Sequence, residues 1–144
     1  MSFVAVATLI LAAYGAVVST YTWTQDRRMH RRENRRRLQV LAEALLAANG
    51  RMYAQVTTPG SGSGAEWRIA WSAEELREFD SLAAREGGEI LGIASETATH
   101  LRWISSKLPS DGNIGGRFPF DEWARRKDHV DCGLKRILEL VRPS

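Results

Sequence analysis

An uncharged stretch of 21 residues near the N-terminus limits what this chain can fold into. Residues 3–23 read FVAVATLILAAYGAVVSTYTW, without an acidic or basic side chain. At about 1.5 Å of rise per residue, a helix of this length spans roughly 30 Å, the thickness of the hydrocarbon core of a bilayer. A chain of only 144 residues is an unusual place to bury so long an apolar helix. The stretch therefore predicts a single membrane-spanning helix, with residues 1–25 as the anchor.

Basic side chains follow this stretch and none precedes it. A cleavable signal peptide carries its positive charge before the apolar run, so the pattern favours an uncleaved anchor. Lys and Arg beside a span are retained on the cytoplasmic side, which predicts an outside N-terminus and a cytosolic chain from about residue 26. Two aromatic and seven basic side chains at this end are expected to contact lipid headgroups. They are Tyr21, Trp23, Arg27, Arg28, Arg31, Arg32, Arg35, Arg36 and Arg37.

The positive charge of the chain is local. Residues 27–37 carry a net charge of +6, whereas the rest of the chain carries −3. Anionic lipid attracts such a cluster by about 1 kcal/mol per basic residue, and nucleic-acid binding would instead need a basic face on the folded domain. We therefore expect an anionic lipid membrane as a partner and no nucleic acid; a membrane tether for nucleic acid through Arg27–Arg37 is an alternative. Arginine outnumbers lysine 17 to 3, which suggests a GC-rich bacterial genome and hence the bacterial inner membrane.

Helical periodicity resumes after the arginines without a break. Apolar residues recur at steps of three and four, which is the spacing of one helix face. They are Leu38, Leu41, Leu45, Ala48, Met52 and Val56. The simplest interpretation is one long helix that leaves the bilayer and continues as a basic stalk over residues 26–56, weakened at Asn49-Gly50. We expect the stripe to pack on the chain's own domain; a parallel coiled coil is the alternative, although the stripe covers too few heptads to establish it.

A flexible linker and a helical domain are expected beyond the stalk. Residues 57–66 contain proline and alternating glycine and serine, a composition typical of flexible segments. We place one small domain at residues 67–144. The predicted class is all-α: a single N-terminal transmembrane helix plus a small cytosolic domain of three to four helices.

Local signals place three helices in that domain. Ser72-Ala-Glu-Glu75 forms a capping box that starts the first helix, and Gly87-Gly88 ends it. The second helix begins between residues 89 and 95, although the run Ile90–Ile93 is equally compatible with a short strand. The third runs from residue 119 or 121 to about 141, and Gly133 in its middle indicates close approach of another element.

Cys132 and His129 are the pair of residues whose side chains are best suited to catalysis or metal binding. A single cysteine excludes an intramolecular disulfide and suits a reducing cytosol. The two side chains share a helix face, but zinc needs at least three protein ligands, and His30 and His100 lie elsewhere in the sequence. A thiol in the middle of a helix also lacks the backbone donors of an oxyanion hole. We therefore expect no metal, no cofactor and no catalytic residue, and we expect Cys132 to be buried.

The sequence as a whole predicts a single-pass membrane protein whose cytosolic domain is a non-enzymatic interaction or regulatory module. The expected partner is another membrane or membrane-proximal protein. A homo-oligomer through the anchor or the stalk is a further option, because small residues recur along the anchor helix. A membrane-bound enzyme that uses Cys132 and His129 is the alternative from another class. No motif in the sequence identifies the biological process.

Overall fold

Four α-helices make up the described part of the chain. The computed structural model describes residues 3–57, 71–107 and 119–143. The helices are α1 (Phe3–Thr57), α2 (Ala73–Glu86), α3 (Gly88–Lys107) and α4 (Phe120–Val141). No strand occurs among these residues, so the all-α class is confirmed for them and Ile90–Ile93 is helical. Residues 58–66 of the expected linker lie outside the described ranges.

Helix α1 contributes to two compact units. The first unit is Met1–Glu33 and the second is Asn34–Ser144. The helix continues through Asn49-Gly50 without interruption. An asparagine usually disturbs a helix by bonding to its own backbone, but here the Asn49 amide is engaged with α4 instead.

The core of the second unit draws on all four helices. The apolar stripe predicted on the stalk lies in this core: Leu38, Leu45, Ala48 and Met52 are at most 3% exposed. Leu41 is partly buried against the same cluster, and the side chain of Val56 lies outside the described part. Helices α2 to α4 supply the facing side chains. The large ones with full burial are Phe79, Leu101, Ile104, Val130, Leu134 and Ile137.

Two buried asparagines fasten α1 to its neighbours in the same manner. The Asn34 side-chain amide donates to the Leu82 carbonyl (3.2 Å) and to the carboxylate of Glu86 (2.9 Å) on α2. The Asn49 amide donates to the Lys127 carbonyl (3.3 Å) and to the carboxylate of Asp131 (2.7 Å) on α4. In both cases the amide spans one turn of the facing helix, from a carbonyl to the carboxylate four residues later. We call these bonds the asparagine contacts.

The capping box of α2 is confirmed. The Glu75 N–H donates to the Ser72 hydroxyl (3.1 Å), and the Ser72 N–H donates to the Glu75 carboxylate (2.7 Å). Gly87, which lies between α2 and α3, and Gly88, the first residue of α3, have φ angles of 68° and 54°. This left-handed region strains any residue with a Cβ, so two glycines allow the second helix to start directly after the first.

Helices α3 and α4 pack closely, and Gly133 lies at their contact. A Cβ built on Gly133 would overlap the Thr97 hydroxyl oxygen of α3 and would lie 3.5 Å from the Ile93 methyl. The glycine therefore sets how near the two helices approach, and the close approach predicted from the sequence is confirmed.

The prediction that Cys132 is buried is wrong. Cys132 is exposed, whereas Val130 and Leu134 on either side of it are fully buried. Each helical residue turns by about 100°, so a position two residues away from both core residues points away from the core. The side chains of the apolar neighbours therefore point into the core, and the thiol of Cys132 points to solvent.

Candidate functional sites

The apolar part of α1 is exposed in the first unit. Among the described helices, α1 is the one that is long and apolar enough to cross a membrane, by length and composition. Its most apolar window has a mean hydropathy of 1.8 and no buried residue. Val4, Leu9, Leu11 and Tyr14 are each more than 70% exposed. Water is a poor solvent for such a surface, because apolar area costs about 25 cal/mol per Å2 to expose.

The aromatic residues at the end of this segment contact polar neighbours on the same helix. The Arg27 guanidinium lies over the Trp23 ring, 3.6 Å from its centroid. Gln25 donates a hydrogen bond of 2.7 Å to the Tyr21 hydroxyl. Each aromatic side chain thus has an apolar ring and a polar contact, the combination found at membrane interfaces.

The seven arginines divide between the two units. Arg27, Arg28, Arg31 and Arg32 belong to the first unit. In the second unit, Arg35 pairs with Glu86 at 3.0 Å and Arg37 with Glu78 at 3.6 Å, both on α2. All seven side chains are exposed. Contact of these residues with lipid headgroups stays a prediction, and the pairing of two of them with α2 was not foreseen from the sequence.

A second group of polar side chains joins α3 to α4. We call Glu96, His100 and His129 the histidine cluster; one ligand atom from each lies within 4.8 Å of the other two. The two imidazole rings stack with centroids 5.1 Å apart and planes 11° from parallel. The Glu96 carboxylate lies 3.8 Å from His100 Nε2.

Arg126 completes the surroundings of His100. Its guanidinium lies 3.2 Å from His100 Nδ1, pairs with Glu122 at 2.9 Å and covers the Trp103 ring at 4.4 Å. Burial lowers the pKa of the His100 imidazole below its ordinary value, and the adjacent Arg126 and His129 lower it further. The ring is therefore neutral at pH 7. A neutral ring that accepts from Arg126 at Nδ1 carries its proton on Nε2.

Sequence reasoning missed this cluster because it treated His100 as an isolated residue. One local signal was present: Glu96 and His100 are four residues apart and share a helix face. The third member comes from a helix that begins 20 residues after His100, so only the packing of α3 on α4 brings it near. Cys132, which shares a helix face with His129 in the sequence analysis, is not part of this group among the described residues.

A cavity of about 700 Å3 lies between the start of α2 and the end of α3. Trp71, Leu76 and Arg102 are among its lining residues, and the Trp71 indole donates to the Ser105 hydroxyl at 2.8 Å. Arg102 pairs with Asp80 at its side. Residues 58–70 and 108–118 adjoin the cavity in sequence and lie outside the described ranges, so we assign it no ligand.

Comparison of the chain with protein-family models, with curated protein sequences and with solved structures returned no match.

Proposed function

We propose that this chain is a single-pass protein of a bacterial inner membrane, with its N-terminus outside and its helical domain in the cytosol. The domain acts as a non-enzymatic module that contacts another membrane or membrane-proximal protein. One observation carries the proposal: an exposed apolar segment of α1 is followed on the same helix by seven exposed arginines. The apolar segment favours the bilayer and the arginines favour its cytoplasmic side.

Confinement to a membrane raises the occupancy of the contact between such a module and its partner. Two proteins held at one surface meet at a raised effective concentration, so a weak contact between them becomes occupied. The domain therefore does not need a high intrinsic affinity for its partner. The charge on residues 27–32 supports the arrangement, because anionic lipid attracts basic side chains near its surface.

The buried and paired polar groups of the domain favour this role over an enzyme. The asparagine contacts hold α1 to α2 and to α4. Asp131, which accepts from Asn49, also pairs with Lys127 of the same helix at 3.1 Å. Cys132 lies inside α4, where backbone N–H groups are bonded within the helix and are not free to stabilise an oxyanion. Pairing of Arg35 and Arg37 with α2 likewise reduces the charge that residues 27–37 could offer to nucleic acid.

The topology can be tested with the chain's own thiol. Cys132 is exposed, so a membrane-impermeant maleimide should label it in permeabilised cells and not in intact cells. In a Cys132→Ser background, a cysteine placed at Ser2 should react in intact cells. Labelling of Cys132 from outside intact cells, with Ser2→Cys protected, would reverse the proposed orientation.

The interaction can be tested by cross-linking in native membranes followed by purification of the chain. We expect one membrane or membrane-proximal protein to co-purify with the full chain. A chain beginning at Arg32, which lacks the span, should capture far less of it because confinement is lost. A chain whose residues 3–23 are replaced by an unrelated apolar span should capture as much as the parent. Loss of capture on that replacement would assign the contact to the anchor and contradict a role for the domain.

A further inference from the structure

The histidine cluster contains a buried polar atom, His100 Nε2, that lies 3.8 Å from the Glu96 carboxylate, too far for a hydrogen bond. His100 Nε2 has no hydrogen-bond partner among the described residues. Buried polar atoms are nearly always bonded to protein, to water or to an ion, so each exception needs an explanation. Here the atom lies beside a carboxylate and a second imidazole, and the three side chains come from two helices.

We propose that Glu96, His100 and His129 bind a late first-row divalent cation, with Zn2+ as the representative ion. Two imidazole nitrogens and one carboxylate oxygen are ligands that this class of cation accepts. Three protein ligands leave a fourth position for water or for a group of a partner. The site goes beyond the proposed membrane function, because it would join α3 to α4 whether or not the chain has a partner.

The geometry is close to what a tetrahedral ion requires. Metal–ligand distances of about 2.0–2.2 Å place neighbouring ligand atoms roughly 3.4 Å apart, whereas the three atoms now lie within 4.8 Å of one another. Closing this gap requires the side chains to rotate. His129 and Glu96 are exposed and can turn, while the helices that carry them are held by the Gly133–Thr97 approach. The stacked imidazole planes must open, since each metal–nitrogen bond lies in the plane of its ring.

Arg126 opposes binding in this structure. It donates to His100 Nδ1 and thereby keeps the proton on Nε2, the nitrogen that faces Glu96. Coordination through Nε2 moves that proton to Nδ1, so the guanidinium must withdraw. Arg126 retains its pair with Glu122 when it does so. The ion and the Arg126–His100 bond are therefore mutually exclusive. Removal of Arg126 should strengthen metal binding, whereas removal of a ligand should weaken it.

The test is a titration of the full chain in detergent micelles with Zn2+ by calorimetry, together with Co2+ absorption to report tetrahedral geometry. We expect one equivalent to bind. His129→Ala and Glu96→Gln change exposed side chains and should each weaken binding at least tenfold. Arg126→Met keeps an unbranched side chain over Trp103 and should tighten binding. His30→Ala and Cys132→Ser are matched controls that should bind like the parent.

Several results would overturn the site. They are the absence of saturable Zn2+ binding in the parent, equal affinity in His129→Ala and Glu96→Gln, or loss of binding in either control. Weaker binding by Arg126→Met would exclude His100 Nε2 as a ligand. Circular dichroism of each variant separates loss of the site from loss of the fold.

Discussion

A chain that begins at Ala65 is expected to lose cooperative folding, whereas a chain that begins at Arg32 is expected to fold. The first lacks the apolar stripe of α1, which includes Leu38, Leu45 and Met52. Each of these residues is at most 3% exposed. Burying one such side chain contributes about 1.5–3 kcal/mol, and a whole domain is stable by only about 5–15 kcal/mol. The burial of these three side chains therefore contributes nearly as much free energy as the total stability of a domain. Circular dichroism melts and size-exclusion chromatography of the two chains measure the effect.

A matched pair of substitutions on α1 separates burial from helix content. In the chain that begins at Arg32, Leu45→Asp should abolish the cooperative melt, because it places a carboxylate at a position 2% exposed. Val40→Asp, at a position 61% exposed, should change stability by no more than about 0.5 kcal/mol. A cooperative melt of the chain from Ala65, or tolerance of Leu45→Asp, would show that the domain does not need α1.

Gly133→Ala is expected to destabilise the domain, although alanine is the better helix former. The gain in helix propensity is about 1 kcal/mol, and the added methyl overlaps the Thr97 hydroxyl oxygen of a buried side chain. Overpacking of this kind costs about 1–3 kcal/mol, so we expect a net loss of up to about 2 kcal/mol. Denaturant unfolding of the full chain in detergent measures it.

The sign of this effect should invert when Thr97 is shortened. Thr97→Ala removes the oxygen that the new methyl would meet, so adding Gly133→Ala to it should raise stability by about 0.5–1 kcal/mol. Gly92→Ala serves as the control, because nothing lies within 4 Å of a Cβ there and the change should stabilise. If Gly133→Ala destabilises equally in both backgrounds, Thr97 is not the obstacle.

The parts of the fold that follow from local chemistry could be read from the sequence. The Ser72–Glu75 capping box, the end of α2 at Gly87 and the extent of α4 depend on neighbouring residues alone. The apolar stripe of α1 also needs only helix geometry, because a period near 3.6 puts its residues on one face. Gly133 could be interpreted because a glycine inside a helix is costly unless something packs against it.

The contacts that depend on how the helices pack against one another could not be predicted from local sequence. Asn49 beside Gly50 indicates a weak point by local rules, but its amide bonds to α4, 82 residues later. The sequence neighbours of Cys132 predict burial, but helical rotation directs its side chain to solvent. His100 meets His129 only because α3 lies on α4. Polar side chains carry little periodic signal, so their partners appear only with the tertiary packing.

The long sequence separation between α1 and the helix α4 that covers it has a consequence during biosynthesis. Residue 49 leaves the ribosome long before Asp131, and at about 5–20 residues per second a separation of 82 residues takes roughly 4–16 s. The apolar stripe has no α4 to cover it during that interval. With the preceding segment inserted as proposed, the stripe waits next to a lipid surface that adsorbs amphipathic helices. Release from that surface, rather than helix formation, would then set the time at which the domain assembles.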